Sequence, residues 1–133
     1  MRKTRILLVD DETTFTRLLK LNLEKLDRYE VRVENAGAQA QAAAVAFEPD
    51  LVFMDVMMPD VDGAEVASRM RADPRLAQIP IIFLTAVISK EEEGRQGKTA
   101  GGYTFVAKPV SIERIVECID THVGGGPRPA EGA

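Results

Sequence analysis

Carboxylates follow two short apolar runs of this sequence directly. Asp10 and Asp11 come after the run Ile6 to Val9, and Asp55 comes after the run Leu51 to Met54. An aspartate commonly caps a helix or begins a turn, so each of these acids also has an ordinary structural interpretation. Their repeated position at the end of an apolar run nevertheless makes them candidates for shared chemistry.

A hydroxyl and an amine occupy matching places further along the chain. Thr85 ends the run that begins at Ile81, and Lys108 lies just past the run Tyr103 to Val106. Taken alone, each is an ordinary strand-end hydroxyl or solvated amine. If the four runs are parallel strands, however, their carboxyl ends lie at the same edge of a sheet, and we expect all of these side chains to converge there.

Three carboxylates at one edge repel one another unless a cation lies among them. Oxygen ligands without sulfur or imidazole favour a hard divalent ion, and Mg²⁺ is usually held by one or two carboxylates plus a phosphate. With such an ion present, Asp55 is placed to attack phosphorus and form an aspartyl phosphate. Lys108 and Thr85 are then predicted to contact the phosphoryl oxygens, Lys108 by its charge and Thr85 by a hydrogen bond.

The elements that must position these residues are predicted from hydrophobic patterning. Five short apolar runs alternate with segments of helical periodicity, which predicts a doubly wound parallel α/β sheet with five helices. The predicted strands are Ile6 to Val9, Val31 to Val33, Leu51 to Met54, Ile81 to Leu84 and Tyr103 to Val106.

Three of the helices have distinct sequence patterns. The first carries an apolar stripe of Phe15, Leu18, Leu19, Leu23 and Leu26, and residues 36 to 47 are alanine-rich, which predicts a thin helix close to the sheet. The last should begin after an N-cap at Ser111. Its apolar stripe consists of Ile112, Ile115, Val116, Ile119 and Val123.

The segment from Ser89 to Gly102 gives the weakest helical pattern. Ser89 and Glu92 have capping-box spacing, but Gly94 and Gly97 follow without a large apolar residue, which predicts a short or mobile helix. Residues 124 to 133 contain nothing to bury and are predicted to be a disordered tail or the start of a linker. The predicted folded domain is therefore residues 1 to 123.

As a set, these motifs resemble the receiver domain of bacterial two-component response regulators over about residues 4 to 122. The matching stretches are LLVDDE, LVFMDVMMPDVDG, PIIFLTA and FVAKPV, in that order. The resemblance implies a flavodoxin-like sheet with strand order 2-1-3-4-5. It also implies a signalling switch rather than an enzyme, one that catalyses its own phosphorylation from a donor and slowly loses the phosphoryl group.

The resemblance assigns roles to the residues of the acidic edge. Asp55 is implied to accept a phosphoryl group from a histidine kinase or a phosphotransfer protein. Asp11, Asp55 and the backbone carbonyl of Met57 are implied to bind Mg²⁺ directly, with Asp10 acting mainly through a bound water and Mn²⁺ as an alternative ion. Thr85 and Lys108 are implied to contact the phosphoryl oxygens.

The resemblance also assigns a switching apparatus. Thr85 and Ala86 are implied to belong to the phosphate-binding and switch residues, and the Thr85 hydroxyl is implied to move towards the new charge. Phe105 is implied to be the aromatic switch residue, without the hydroxyl that tyrosine has at this position in many members. The Lys108 to Pro109 peptide bond is implied to be cis. The surface that changes is the one made by the fourth helix, the fifth strand and the fifth helix.

Three other classes of protein share part of this pattern. A phosphatase of the haloacid dehalogenase type has a second catalytic aspartate two residues after the nucleophile, where this sequence has Met57. A nucleotide-binding module needs a glycine in the turn after the first strand, which here reads VDDET. A receiver-like interaction domain that is never phosphorylated usually lacks one of the five residues at the acidic edge.

Composition and charge limit the partners. A net charge of -4 and a pI near 5.1 argue against nucleic-acid or membrane binding by this domain. The run Ile6 to Val9 is too short for a signal peptide or a membrane span, which favours a cytoplasmic protein. The single cysteine, Cys118, excludes an internal disulfide, and no cysteine and histidine cluster suggests zinc.

The expected partners are the kinase or phosphotransfer protein and an output protein or C-terminal effector domain, contacted in part through Thr14, Arg17 and Val110. The protein is expected to be a monomer or a phosphorylation-dependent dimer.

Overall fold

The structure, a computed structural model, describes residues 2–85, 99–100, 103–108 and 110–123. Its six strands are β1 Thr4–Val9, β2 Tyr29–Glu34, β3 Leu51–Asp55, β4 Ile81–Thr85, β5 Thr99–Ala100 and β6 Tyr103–Ala107. Four α-helices are described, α1 Thr13–Lys25, α2 Ala40–Phe47, α3 Gly63–Ala72 and α4 Ile112–His122. A short 3₁₀ turn, Gly37–Gln39, precedes α2.

The five predicted strands form one parallel sheet in the predicted order. Along the sheet the strands are arranged β2-β1-β3-β4-β6, and a two-residue strand, β5, extends the edge by pairing antiparallel to β6. This order is the predicted 2-1-3-4-5 arrangement. The prediction of a doubly wound sheet is therefore confirmed, and β5 is an element that the sequence did not reveal.

Both faces of the sheet are covered, which explains why its central strands are continuously apolar. All five residues of β3 and all five of β4 are buried. One core cluster joins Leu8, Phe53 and Leu84 to α1 and α4, and the other joins Leu7, Met54 and Phe83 to α2 and α3. Alternate residues of one strand point to opposite faces, so each strand contributes to both clusters. This packing makes the ends of β3 and β4 rigid supports.

Helix α1 buries a narrower face than the sequence predicted. Leu19 and Leu23 are buried, whereas Leu18 is 54% exposed and Leu26 is 45% exposed. Thr16 is buried instead, and its hydroxyl accepts a hydrogen bond from Asn35. The predicted stripe was therefore partly wrong, because the face of α1 that meets the sheet is narrower than the apolar stripe in the sequence.

The C-terminal helix α4 agrees with its predicted pattern. The Ser111 side chain accepts a hydrogen bond from Arg114 N at 3.1 Å, as an N-cap does, and Ile115 and Ile119 are buried. His122, the last residue of α4, is half-buried. Its Nδ1 donates to the Cys118 carbonyl at 2.9 Å, which leaves Nε2 to the Thr104 hydroxyl at 3.1 Å. His122 therefore ties α4 to β6.

Several predictions concern residues outside the described part of the chain. They include the tail from residue 124, Ala86, the Lys108 to Pro109 bond and most of the helix predicted between residues 89 and 102. The two residues of that segment that are described form strand β5 rather than helix. Among the helices of the described ranges, none has the length and apolar character needed to span a membrane.

Candidate functional site

The strand ends bring the predicted site residues to the same edge of the sheet. Asp55 is the last residue of β3 and pairs with Leu84 of β4, while Thr85 ends β4 and pairs with Ala107 of β6. Lys108 follows β6 directly, and its backbone N donates to the Thr85 carbonyl at 2.9 Å. The chain therefore places Asp55, Thr85 and Lys108 on three adjacent strands, as the sequence predicted.

Asp10, Asp11 and Asp55 form a compact acidic cluster. One carboxylate oxygen from each lies within 4.8 Å of the other two. Asp10 is only 1% exposed and Asp55 only 7%, and Asp11 is the most accessible of the three. Asp10 is held in place on both sides, because Glu12 N donates to its Oδ1 at 2.9 Å and the Asn35 amide donates to its backbone carbonyl at 2.7 Å.

Neither aspartate of the pair after β1 caps the next helix. The N-cap residue of α1 is Glu12, which makes no side-chain cap hydrogen bond. For Asp55, the alternative of a turn role is realised in part, because its Oδ1 accepts from Met57 N at 3.2 Å. Its Oδ2 lies 3.7 Å from the Lys108 amine, so the carboxylate both shapes the turn and faces the amine.

Lys108 lies inside the site and is not a solvated amine. Its side chain is 9% exposed, and its Nζ lies 2.7 Å from Asp10 Oδ2 and 2.6 Å from Glu12 Oε1. The Nζ also lies over the Phe15 ring, 4.7 Å from its centroid, a favourable place for a cation. One ammonium therefore faces several carboxylates, and the site retains an excess of negative charge.

The surroundings shift the pKa of the two central groups. Burial raises the pKa of Asp55, and the charge of Asp10 adds to the rise, while Lys108 and the Met57 backbone N–H oppose it. Burial by itself lowers the pKa of Lys108, but its contacts with Asp10 and Glu12 outweigh burial, so the pKa is raised overall. In the absence of a further cation, the site therefore makes Asp55 easier to protonate than an ordinary aspartate.

The raised pKa predicts that Asp55 weakens the metal-free fold at neutral pH. The pKa of the Asp55 carboxyl is higher in the folded protein than in the unfolded chain, so the folded protein binds this proton more tightly. The free energy of unfolding therefore falls as the pH rises from the ordinary pKa to the raised one, and the whole loss remains at any higher pH. Asp55→Asn should therefore raise the melting temperature of the chelator-treated protein by a few degrees at pH 7. This gain should vanish when the pH is below the ordinary pKa of aspartate. Thermal melts monitored by circular dichroism at both pH values test this, and an equal gain at both would contradict it.

The loop after Asp55 is fixed at both ends. Val56 N donates to the Leu84 carbonyl at 3.2 Å, and Gly63 N donates to the Val56 carbonyl at 2.8 Å. Asp62 caps α3 by accepting from Ala64 N at 2.9 Å. A Cβ on Gly63 would lie 2.2 Å from the Asp55 carbonyl oxygen, so only glycine lets the start of α3 approach the end of β3 this closely.

The acidic cluster suits a hard divalent cation. Asp10 Oδ2 is buried and, apart from its ion pair with Lys108, has no hydrogen-bond partner among the described residues. All the side-chain ligands available in the cluster are carboxylate oxygens, which Mg²⁺ and Mn²⁺ accept and which soft-metal sites do not favour. The residues present therefore fit Mg²⁺, with Asp10, Asp11 and Asp55 as the groups that would hold it.

The other predicted switch residues are in the expected strands. Thr85 is buried, and Phe105 in β6 is half-buried, with its ring stacked on Phe83 at a centroid distance of 5.4 Å. Met57 is 67% exposed, and ligation of a metal by its backbone carbonyl stays a prediction.

Sequence reasoning did not assign two groups that shape the site. Glu12 contacts Lys108 and Asn35 fixes the Asp10 backbone. Glu12 follows the acid pair directly in LLVDDE, so its position was a usable signal. Asn35 gave no comparable signal, because it is an isolated amide at the end of another strand.

The family comparison agrees with this geometry. The sequence model of the response regulator receiver domain matches residues 6–120. The chain belongs to the receiver-domain family of response regulators. Receiver domains act as phosphorylation-controlled signalling switches.

Curated relatives include both long and short proteins. The receiver domain is 38% identical over 112 residues to the DNA-binding dual master transcriptional regulator RpaA of Synechocystis, covering 84% of this chain but only 46% of RpaA. It is 33% identical over 121 residues to the polar-differentiation response regulator DivK of Brucella ovis, covering 90% of this chain and 95% of DivK. The chain thus spans about half of one relative and nearly all of the other.

Solved structures share the fold. A putative response regulator from Chloroflexus aurantiacus matches with a TM-score of 0.78 at 27% identity, covering 92% of this chain and 99% of that one. The chemotaxis protein CheY4 of Vibrio cholerae matches with a TM-score of 0.77 at 27% identity, covering 90% of this chain and 98% of that one. The fold of the receiver domain is therefore shared by a chemotaxis protein.

Proposed function

We propose that this receiver domain accepts a phosphoryl group on Asp55 from a histidine kinase or a phosphotransfer protein. The observation that carries the proposal is the buried cluster of Asp10, Asp11 and Asp55 with the Lys108 amine beside it. Family membership supports a phosphorylation-controlled switch, and the closeness of these groups supports the proposal that the chemistry depends on them.

In the transfer step, an Asp55 carboxylate oxygen forms a bond to phosphorus as the bond from phosphorus to the donor histidine nitrogen breaks. The histidine nitrogen keeps the electron pair of that bond and can take a proton. Lys108, 3.7 Å from Asp55 Oδ2, is placed to balance the added negative charge. The Thr85 hydroxyl, at the end of the neighbouring strand, is proposed to donate to a phosphoryl oxygen.

A divalent cation completes this site. Mg²⁺, or Mn²⁺ as the alternative, would neutralise the acidic cluster and polarise the phosphoryl donor when bound. We propose that Asp11, Asp55 and the Met57 carbonyl hold it directly and that Asp10 acts through a water. Slow hydrolysis of the aspartyl phosphate by the domain itself is proposed to end the signal.

The output step is proposed to begin at Thr85 and Ala86. Movement of Thr85 towards the phosphoryl group would free space beside β4, into which the Phe105 ring could turn from its stacking on Phe83. Such a movement would shift the population between two states of the surface around β6 and α4. Because Phe105 has no hydroxyl, we propose that this surface recognises its partner through apolar contacts at that position.

Partners are proposed for two surfaces. Leu18 and Leu21 of α1 are 54% and 51% exposed and form an apolar surface on the helix that follows Asp10 and Asp11. We propose that the phosphodonor docks on this surface, beside Thr14 and Arg17. The output partner is either a separate protein, as for a chain of DivK size, or an effector domain, as in a longer regulator. DNA binding of the kind named for RpaA would then belong to that effector domain. We further propose that the protein acts in the cytoplasm, as a monomer or as a phosphorylation-dependent dimer.

Incubation with Mg²⁺ and acetyl phosphate tests the function directly. The unaltered protein should gain one phosphoryl group by intact mass spectrometry, and alkali or hydroxylamine should release the group, as expected for an acyl phosphate. Chelation of the metal with EDTA should prevent the gain. Continuous turnover of the donor without a labelled protein would instead indicate a phosphatase, and no label in the presence of Mg²⁺ would overturn the proposal.

A further inference from the structure

Glu12 makes a contact with Lys108 that the phosphoryl-transfer scheme does not use. Glu12 Oε1 accepts a hydrogen bond from Lys108 Nζ at 2.6 Å, across 96 residues of sequence. Asp10 Oδ2 lies 2.7 Å from the same nitrogen, whereas Asp55 Oδ2 lies 3.7 Å away. In this structure the amine is therefore engaged by Asp10 and Glu12 more closely than by the proposed phosphoacceptor.

The backbone of Glu12 is fixed but its side chain is accessible. Glu12 N donates to Asp10 Oδ1 at 2.9 Å, and its carbonyl accepts from Thr16 N at 3.1 Å at the start of α1. The Glu12 side chain is 59% exposed, whereas the Lys108 side chain is 9% exposed. The Glu12 carboxylate can therefore leave Lys108 for water at small cost, because it is already largely hydrated in its present position. The Lys108 amine has no comparable freedom.

The charge of Glu12 opposes the arrival of a phosphoryl group. A lysine ammonium offers three donors, and Asp10 and Glu12 lie at hydrogen-bonding distance from it. A phosphoryl group on Asp55 brings further negative charge to the same ammonium, where the Glu12 carboxylate repels it and competes for a donor. The competition is relieved if Glu12 turns outward.

We infer that Glu12 is a releasable counter-ion of Lys108, a positioning residue that holds the amine in the unphosphorylated state and lowers the affinity of the site for a phosphoryl group. The inference rests on the proposed function, because it concerns the same lysine and the same acceptor. It adds a residue that tunes how readily this receiver domain is switched on.

Beryllium fluoride, an anion with the shape and charge of a phosphoryl group, tests the inference without turnover. Its affinity would be measured by ¹⁹F NMR titration at saturating Mg²⁺, so that a change in metal affinity does not contribute. Glu12→Gln keeps the size of the side chain and removes its charge. It should bind beryllium fluoride about two- to five-fold more tightly than the unaltered protein, as expected for the loss of one exposed ion pair.

A second readout needs no anion or metal. The ammonium protons of Lys108, followed by ¹⁵N NMR of the lysine Nζ group in chelator-treated protein, should exchange faster with water in Glu12→Gln. Glu12→Asp keeps the charge but is one methylene shorter, so it should fall between the unaltered protein and Glu12→Gln in both measurements. A Glu12→Asp protein identical to the unaltered one would show that direct contact is unimportant and would overturn the inference.

Glu30→Gln is the matched control. Glu30 is 55% exposed and pairs with Arg5 at 3.7 Å, and its neighbours in the sheet are near the amino-terminal end of β1, away from the acidic edge. It should bind beryllium fluoride as the unaltered protein does. Equal affinity of the unaltered and Glu12→Gln proteins would overturn the inference alone, whereas a failure of both to bind beryllium fluoride would overturn the proposed function together with it.

Discussion

Asp55→Asn protein is expected to take up no phosphoryl group from acetyl phosphate, where the unaltered protein takes up one. The amide has no anionic oxygen to attack phosphorus, and Asp10 is not well placed to replace Asp55. Asp10 faces Lys108 at 2.7 Å and is 1% exposed, so its carboxylate is already engaged and shielded from a donor. Labelling should therefore fall to background rather than decline in part.

Asp62→Asn is the matched control for this experiment. Asp62 lies in the loop after Asp55 and caps α3, a position where asparagine is about as effective as aspartate. The control should label as the unaltered protein does, and both variants should keep the far-ultraviolet circular dichroism of the fold. If Asp55→Asn labels at a normal rate, or if peptide mapping finds the phosphoryl group on another residue, Asp55 is not the acceptor.

Gly63→Ala is expected to be the most damaging of the conservative changes near the site. The new methyl would lie 2.2 Å from the Asp55 carbonyl oxygen and 3.0 Å from Val56 Cα, and both are backbone atoms next to a fully buried strand. Alanine favours a helix by up to about 1 kcal/mol over glycine, but this gain is smaller than the cost of moving β3 or α3. The free energy of unfolding should fall by roughly 1–3 kcal/mol, the usual cost of overpacking.

The same change should also reduce phosphorylation in the protein that remains folded, because any relief of the contact moves Asp55 relative to Lys108. Urea unfolding and initial rates of labelling measure the two effects separately. Gly37→Ala is the control, since its methyl would meet the side chains of Val61 and Met58 at 2.6 and 2.8 Å. Side chains in a loop yield more easily than the backbone, so the loss should be smaller. An equal or larger loss in Gly37→Ala would show that the close approach at Gly63 is not what matters.

The sequence was sufficient to predict the sheet and the acidic edge. Strands that are covered on both faces are apolar throughout, so the sequence identified Leu51 to Met54 and Ile81 to Leu84 as buried strands. Because parallel strands end at the same edge of a sheet, the polar residues directly after these strands were expected to lie at one edge. This reasoning found Asp10, Asp11, Asp55, Thr85 and Lys108, because residues that follow different strands of a parallel sheet lie close together in space. The family motifs added the strand order, which hydrophobic pattern alone does not specify.

Other features depended on packing that no local pattern records. The apolar stripe of α1 predicted burial of Leu18 and Leu26, but a helix lying on a sheet covers only a limited face, and both remain exposed. No local sequence pattern indicated that His122 would lie within hydrogen-bonding distance of the Thr104 hydroxyl of β6. Both outcomes depend on the rotation of a helix against the sheet, which the whole core determines.

The electrostatic partners of the site were likewise decided by tertiary structure. The sequence placed positive charge at Lys108 and negative charge at Asp10, Asp11 and Asp55, but it did not say which carboxylates the amine would contact. In the fold, Lys108 lies beside Asp10 and Glu12 because β6 carries it past the end of β4 towards the start of α1. The sequence thus determined which chemical groups meet at the edge, because strand ends are local features. Only the tertiary structure determined their distances and pairings, because those depend on how distant segments pack together.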